Sequence, residues 1–126
     1  MKMILVIAAG GALGAVARHM VNNQVTAWFG DVFPWGILTV NVAGSFAMGV
    51  LVEVLGLAWT PSQEVRALVV VGFLGAFTTF STFSLQVVLL YERGQTGLAA
   101  LYIAASVLLA VGGLFAGLAL VKSIVL

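Results

Sequence analysis

Four uncharged runs divide the chain, at residues 3–17, 32–52, 67–91 and 94–121. A membrane-crossing helix needs about 20 apolar residues. The runs predict four spans, roughly 3–27, 34–58, 64–92 and 96–122, with the first continuing past Arg18. Polar and turn-forming clusters punctuate them: Asn22-Asn23-Gln24, Asp31-Val32-Phe33-Pro34, Thr60-Pro61-Ser62-Gln63-Glu64 and Glu92-Arg93-Gly94-Gln95. The third cluster, with proline near a first turn, reads as a helix start. The loops are too short to fold separately, so one four-helix transmembrane domain covers residues 1–126.

Composition agrees with the pattern. Hydrophobic residues make up 63% of the chain and charged residues 7%, where a soluble domain carries about a quarter charged. The predicted class is an all-α integral membrane protein. Met1–Ala9 and Ala15-Val16-Ala17 imitate a signal peptide and its cleavage site. They are read as the first span, because nothing downstream resembles a secreted domain. A net charge of +1 offers nucleic acid nothing. Without cysteine there is no disulfide, thiolate site or cysteine nucleophile, and His19 alone cannot hold zinc.

Charge also bears on orientation. With four spans, Lys2, Arg66 and Lys122 share one side, and Arg18 and Arg93 share the other. Topology follows an excess of Lys and Arg on the cytoplasmic side. Three against two is almost no excess, so either insertion of the chain, and an antiparallel homodimer, become open to it. The alternative is a unique topology set by one or two charges.

The polar residues inside the spans are few. Gly10 and Gly14 form one G-x-x-x-G face and Gly113 and Gly117 another, each suited to close helix approach. Arg18 continues the first face, either at an aqueous vestibule or as a snorkelling end-of-helix arginine. Asn41 and Ser45 share a face of the second span. Asn41 serves there as a donor or as an interhelical bond. Tyr102 and Ser106 share a face of the fourth span, with Ala110 beyond them. The third span holds the densest set: Thr78, Thr79, Ser81, Thr82 and Ser84, threaded with Phe77, Phe80 and Phe83. Polar groups at bilayer depth are costly and therefore mark function. Gly72, Gly75 and the paired threonines predict a helix break near Gly75–Thr79, whose freed carbonyls can coordinate a cation. The plainer alternative is that the phenylalanines pack and the hydroxyls bond to their own backbone.

No span carries a carboxylate at its middle, and there is no catalytic pair or triad, so the chain is not expected to be an enzyme. What remains is donors: hydroxyls, an amide and Arg18. Such a set suits a small, strongly hydrated anion, which needs replacement hydrogen bonds along its path. Aromatic ring edges carry partial positive charge and can line the same path.

The run Gly72-Phe73-Leu74-Gly75-Ala76-Phe77-Thr78-Thr79-Phe80-Ser81-Thr82-Phe83-Ser84 closely resembles the signature of the CrcB/Fluc fluoride channels. Gly10–Arg18 looks like that family's first-span pattern, and Pro34–Asn41 like the opening of its second span. The resemblance implies a dual-topology homodimer of antiparallel subunits in the bacterial inner membrane, with two pores for passive, selective fluoride export. Phe80 and Phe83 would be the pore phenylalanines, with Asn41 their polar companion. Ser81 and Thr82 would belong to a hydroxyl track, Tyr102 and Ser106 would line the fourth-span side, and Arg18 would sit near a vestibule. Gly75 and Thr78 would give backbone carbonyls from both subunits to a structural sodium ion. Three positions depart from the family: Gln86 where a glutamate is frequent, Ile37 where a hydroxyl is frequent, and Ala110 at the end of the fourth-span hydroxyls.

Two other readings compete. A proton-coupled exporter of the small-multidrug type needs a deep carboxylate, and Glu53, near a span end, is its only candidate. A non-transporting membrane subunit would use the glycine faces to bind partners.

Overall fold

A computed structural model describes all 126 residues, and every regular element in it is helical. Helix α1 spans Lys2–Phe29 and α2 spans Trp35–Leu57. A short α3, Gln63–Arg66, runs into a π-helical stretch, Ala67–Leu74, and a turn of α-helix, α4, Gly75–Phe77. Helix α5 spans Phe80–Glu92 and α6 spans Thr96–Val125. Four segments are long and apolar enough to cross a membrane: Lys2–Phe29, Trp35–Leu57, Gln63–Glu92 and Thr96–Val125. At 1.5 Å per residue, 28 residues reach about 42 Å, which exceeds the ~30 Å hydrocarbon layer.

Local chemistry sets the boundaries. Pro34 stands as the cap before α2, where its missing N–H costs nothing. The Ser62 side chain accepts from the Val65 N–H at 3.2 Å and closes the start of α3. After α5 the chain turns at Gly94, whose φ of 78° lies in the left-handed region that favours glycine. Its N–H returns to the Tyr91 carbonyl at 3.0 Å.

Only 19 of 126 residues are buried, while Leu5, Leu13, Val107, Leu108 and Phe115 lie exposed. In water that surface would be untenable. In lipid it is the expected exterior, so helix association must come from close packing rather than from hydrophobic burial. The glycines supply that packing. A side chain at Gly10 or Gly14 of α1 would strike the backbone at Leu68 or Phe73 of the π-helical stretch, and one at Gly72 would meet Ile7 and Gly10. A side chain at Gly49 of α2 would strike Leu114 of α6, and one at Gly117 would strike Phe46 and Gly49. Both predicted glycine faces are thus helix crossings within one chain.

The first test follows from these contacts. Gly14→Val forces the Phe73 backbone aside, with its Cα only 3.1 Å from the added carbon. Overpacking of this kind costs about 1–3 kcal/mol. Gly11→Ala, whose nearest neighbour is the Gly72 carbonyl at 4.0 Å, costs almost nothing. Thermal melting in detergent should separate the two variants clearly. Equal melting would refute the crossing.

Candidate functional site

The third segment departs from helical geometry at two residues. Thr78 has φ −86° and ψ 156°, and Thr79 has φ −150° and ψ 123°, both extended. The Thr78 N–H still reaches the Leu74 carbonyl at 3.2 Å, whereas the extended Thr79 backbone turns to partners outside its helix. Asn41 of α2 supplies them from 38 residues away. Its carboxamide oxygen accepts from the Thr79 N–H at 2.8 Å, and its amide donates to the Thr79 carbonyl at 3.0 Å. One side chain therefore supplies the partner that the Thr79 N–H lacks and adds a second donor to its carbonyl, which as the cap residue already accepts the first bond of α5.

Thr79 then restarts the helix. Its hydroxyl accepts from the Thr82 N–H at 3.1 Å and donates to the Thr82 hydroxyl at 3.2 Å. The Ser81 hydroxyl lies 3.3 Å from it. Thr79, Ser81 and Thr82 thus form a linked hydroxyl cluster at the start of α5. The other two hydroxyls bond locally. Thr78 donates to the Leu74 carbonyl at 3.1 Å and Ser84 to the Phe80 carbonyl at 2.9 Å. The plainer expectation, hydroxyls bonded to their own backbone, holds for these two and for the Thr79 cap, while Ser81 and Thr82 bond to the Thr79 hydroxyl. Arg18 reaches the same place from α1, with its guanidinium 3.5 Å from the Thr78 carbonyl.

An open cavity of about 290 Å³ lies against these residues. Asn41, Ser45, Thr78, Thr79, Phe80, Phe83 and Ser106 face it, with Val107, Ala110 and Val111 closing the α6 side. The Phe80 and Phe83 rings are 5.4 Å apart and tilted at 41°. Phe80 is 79% exposed, whereas Phe83 is half-buried and packs on Tyr102 at 5.2 Å. Phe33 meets Tyr102 edge-on at 5.5 Å. Tyr102 is wholly buried and Ser106 is 7% exposed. Neither hydroxyl has a hydrogen-bond partner beyond the pair, whose two members lie close enough to interact with each other. Buried polar groups are nearly always satisfied, so two such hydroxyls one helical turn apart call for an explanation.

Of the residues singled out in the sequence, Asn41, Thr78, Phe80, Phe83 and Ser106 meet at the cavity. Tyr102 stands behind Phe83. Ser81 and Thr82 touch the site through Thr79, and Arg18 through the Thr78 carbonyl. Gly75 is exposed on α4. Two further residues contribute. Thr79 organises the backbone and Ser45 lines the wall. The adjacency of Thr79 to Thr78, and the four-residue spacing from Asn41 to Ser45, were the signals available for them. Every charged residue is absent from the cavity lining. No cluster of His, Cys, Asp or Glu able to hold a metal exists elsewhere. Glu53 lies near the end of α2, paired with Lys122 at 3.8 Å.

The family model described as "CrcB-like protein, Camphor Resistance (CrcB)" matches residues 5–118. The chain belongs to this family. It is 59% identical over 125 residues to a fluoride-specific ion channel of Rhodospirillum centenum, covering 99% of each chain. A relative of the same description from Rhizobium etli is 46% identical, covering 99% of this chain and all of the relative. One from Nitrobacter winogradskyi is 47% identical over 96% of each. With four membrane-crossing segments and these relatives, the chain is a multi-pass membrane protein of bacterial type. It is not an enzyme, and the carboxylate-driven exporter reading of Glu53 has no support.

Proposed function

We propose that this protein is a fluoride-selective channel that lets fluoride leave the cell passively. The observation that carries the reading is the buried hydroxyl pair, Tyr102 and Ser106, without partners beyond itself, beside a cavity walled by polar side chains and the Phe80 and Phe83 rings and by no charge. Hydroxyls left unpaired in a protein interior are costly. They become favourable once an anion accepts from them. Positive ring edges oppose a cation, and a carboxylate that would trap a proton is absent from the lining. Fluoride is small and holds its water tightly, so it gains most from closely spaced donors. The relatives' description as fluoride-specific channels supports the same substrate.

In this mechanism Phe80 and Phe83 present their edges to the ion, and Asn41, while holding Thr79, keeps the cavity wall polar. The Thr79–Ser81–Thr82 cluster offers rotatable O–H groups, and Ser106 and Tyr102 complete the path on α6. Arg18 attracts anions towards the site without entering it. Ala110 and Gln86 leave this track shorter than in members that carry a hydroxyl or a glutamate at those positions.

The finer architecture is part of the same proposal. The extended Thr78–Thr79 pair acts as a break in the third membrane span. Two antiparallel copies of the 126-residue, four-helix domain, inserted in both orientations, assemble as a homodimer with two pores. The near balance of Lys and Arg supports the dual insertion, and the large exposure of Phe80 and Gly75 supports a covering partner. A sodium ion fits Gly75 and Thr78. The Thr79 N–H turns to Asn41, so the Gly75 carbonyl lacks its helical donor. The Thr78 carbonyl receives only the long Arg18 contact. Carbonyl oxygens freed in this way suit a hard cation. When bound, the ion supplies a structural tie between the two copies.

Liposomes loaded with fluoride and carrying the purified protein test the reading. Voltage-driven efflux of fluoride with no matching efflux of chloride is the expected result. A well-folded protein with no fluoride flux would overturn it. Tyr102→Phe combined with Ser106→Ala sharpens the test. The hydroxyls have no partners beyond each other to lose, so stability should change by no more than about 1 kcal/mol. Each hydrogen bond to an anion contributes ~1.5–3 kcal/mol, so fluoride efflux should fall tenfold or more.

A further inference from the structure

A second cavity lies at the C-terminal end of α2. It is about 290 Å³ and is walled by Val52, Leu55, Gly56, Val70 and Arg66. Three of these residues are hydrophobic, one is glycine and one is a cation. The π-helical stretch begins one residue after Arg66 and brings Val70 into the wall. π-helical turns are rare and gather at functional sites. Gly56 leaves the cavity unfilled, since a side chain there would meet nothing within 4 Å.

The charges around it are accounted for. The single ion pair of the chain joins Lys122 to Glu53, next to Val52, so that carboxylate is engaged. Glu64 lies two residues before Arg66, a spacing that does not place side chains face to face on a helix. Arg66 is exposed and has no ion-pair partner. Lys2 and Lys122 stand at the same end of the bundle, which gives it three basic side chains against Glu53 and Glu64. Trp59, 44% exposed and three residues past Gly56, marks headgroup depth, where tryptophan gathers. The cavity therefore joins an unpaired guanidinium at the interface to an apolar wall inside the hydrocarbon.

We propose that this cavity holds an anionic phospholipid. The headgroup phosphate sits on Arg66, a geometry that guanidinium recognises well, and the upper acyl chain lies along Val52, Leu55 and Val70. The net positive end favours phosphatidylglycerol over a zwitterionic lipid.

Native mass spectrometry of the detergent-purified full chain, titrated with phosphatidylglycerol or phosphatidylcholine, tests this. A basic residue near a membrane surface contributes ~1 kcal/mol towards anionic lipid, which converts to about fivefold. Retained phosphatidylglycerol should exceed phosphatidylcholine by about that factor. Arg66→Gln should bring the ratio close to one. Gly56→Leu, which the open space tolerates, should remove bound lipid of both kinds with every charge intact. Equal retention of the two lipids by the unaltered chain would overturn the proposal, as would an unchanged ratio in Arg66→Gln. A second copy of the chain covering the cavity, seen as a dimer that excludes lipid until Gly56→Leu splits it, would overturn it as well.

Discussion

Phe80→Ile should reduce fluoride efflux to the leak of protein-free liposomes while leaving the fold in place. The side chain is 79% exposed in the single chain, so its removal opens no packed core. Its neighbours are the Phe83 ring at 5.4 Å and the cavity. Isoleucine keeps the bulk and the apolar character and deletes only the quadrupole, whose positive edge is the feature an anion can use. If the ring supplies about 3 kcal/mol at the barrier, flux falls roughly a hundredfold. Phe83→Ile should do the same with a further loss of stability, because Phe83 packs on Tyr102 at 5.2 Å and joins the cluster of Leu38, Leu90, Ala99 and Tyr102. Efflux assays beside melting curves separate the two effects. Wild-type flux in Phe80→Ile would refute the ring's role. Loss of flux together with loss of folding would make it a packing residue.

The spans were legible because charge is scarce. Asp31, Glu53, Arg66 and Glu92 each sit within a few residues of a helix end, and the predicted spans 3–27, 34–58, 64–92 and 96–122 match helical segments at 2–29, 35–57, 63–92 and 96–125. A charge within hydrocarbon is too costly to leave a run unmarked. Arg18 alone breaks the pattern, and it does so by reaching the Thr78 carbonyl rather than an interface. The glycine faces were legible for a similar reason, since a G-x-x-x-G row serves close approach whatever lies opposite. Which helix lies opposite was not. The π-helical stretch at 67–74 left no mark in Ala-Leu-Val-Val-Val-Gly-Phe-Leu, because apolar sequence is compatible with either winding.

Within the site, individual residues were visible and their partnerships were not. Asn41 stood out as an amide in a span, but nothing local points from it to Thr79, 38 residues on. Thr79 looked like one hydroxyl among five. It is the buried one, and the one whose backbone must find partners outside its helix. The lack of outside partners for Tyr102 and Ser106 depends on what surrounds them in three dimensions, so no spacing could reveal it.

Asn41 carries the second large effect. Asn41→Val strips both partners from the Thr79 backbone at once. The Thr79 N–H left unsatisfied costs ~1–3 kcal/mol, while its carbonyl keeps the first bond of α5; this is a sizeable part of the roughly 5–15 kcal/mol that holds a typical protein folded. Melting should drop sharply and fluoride efflux should vanish. Stability and conduction are then confounded, and Asn41→Asp separates them. The aspartate keeps an acceptor for the Thr79 N–H and loses only the donor to its carbonyl, so it should melt between Asn41→Val and the unaltered chain. Ionised, it sets a negative charge on the cavity wall and repels fluoride. Protonated, it is neutral and regains a donor. Efflux through Asn41→Asp should therefore be near zero at neutral pH and rise as the pH is lowered, whereas Asn41→Val should stay silent at every pH. A variant that conducts equally at both pH values would mean that Asn41 braces the chain without facing the ion.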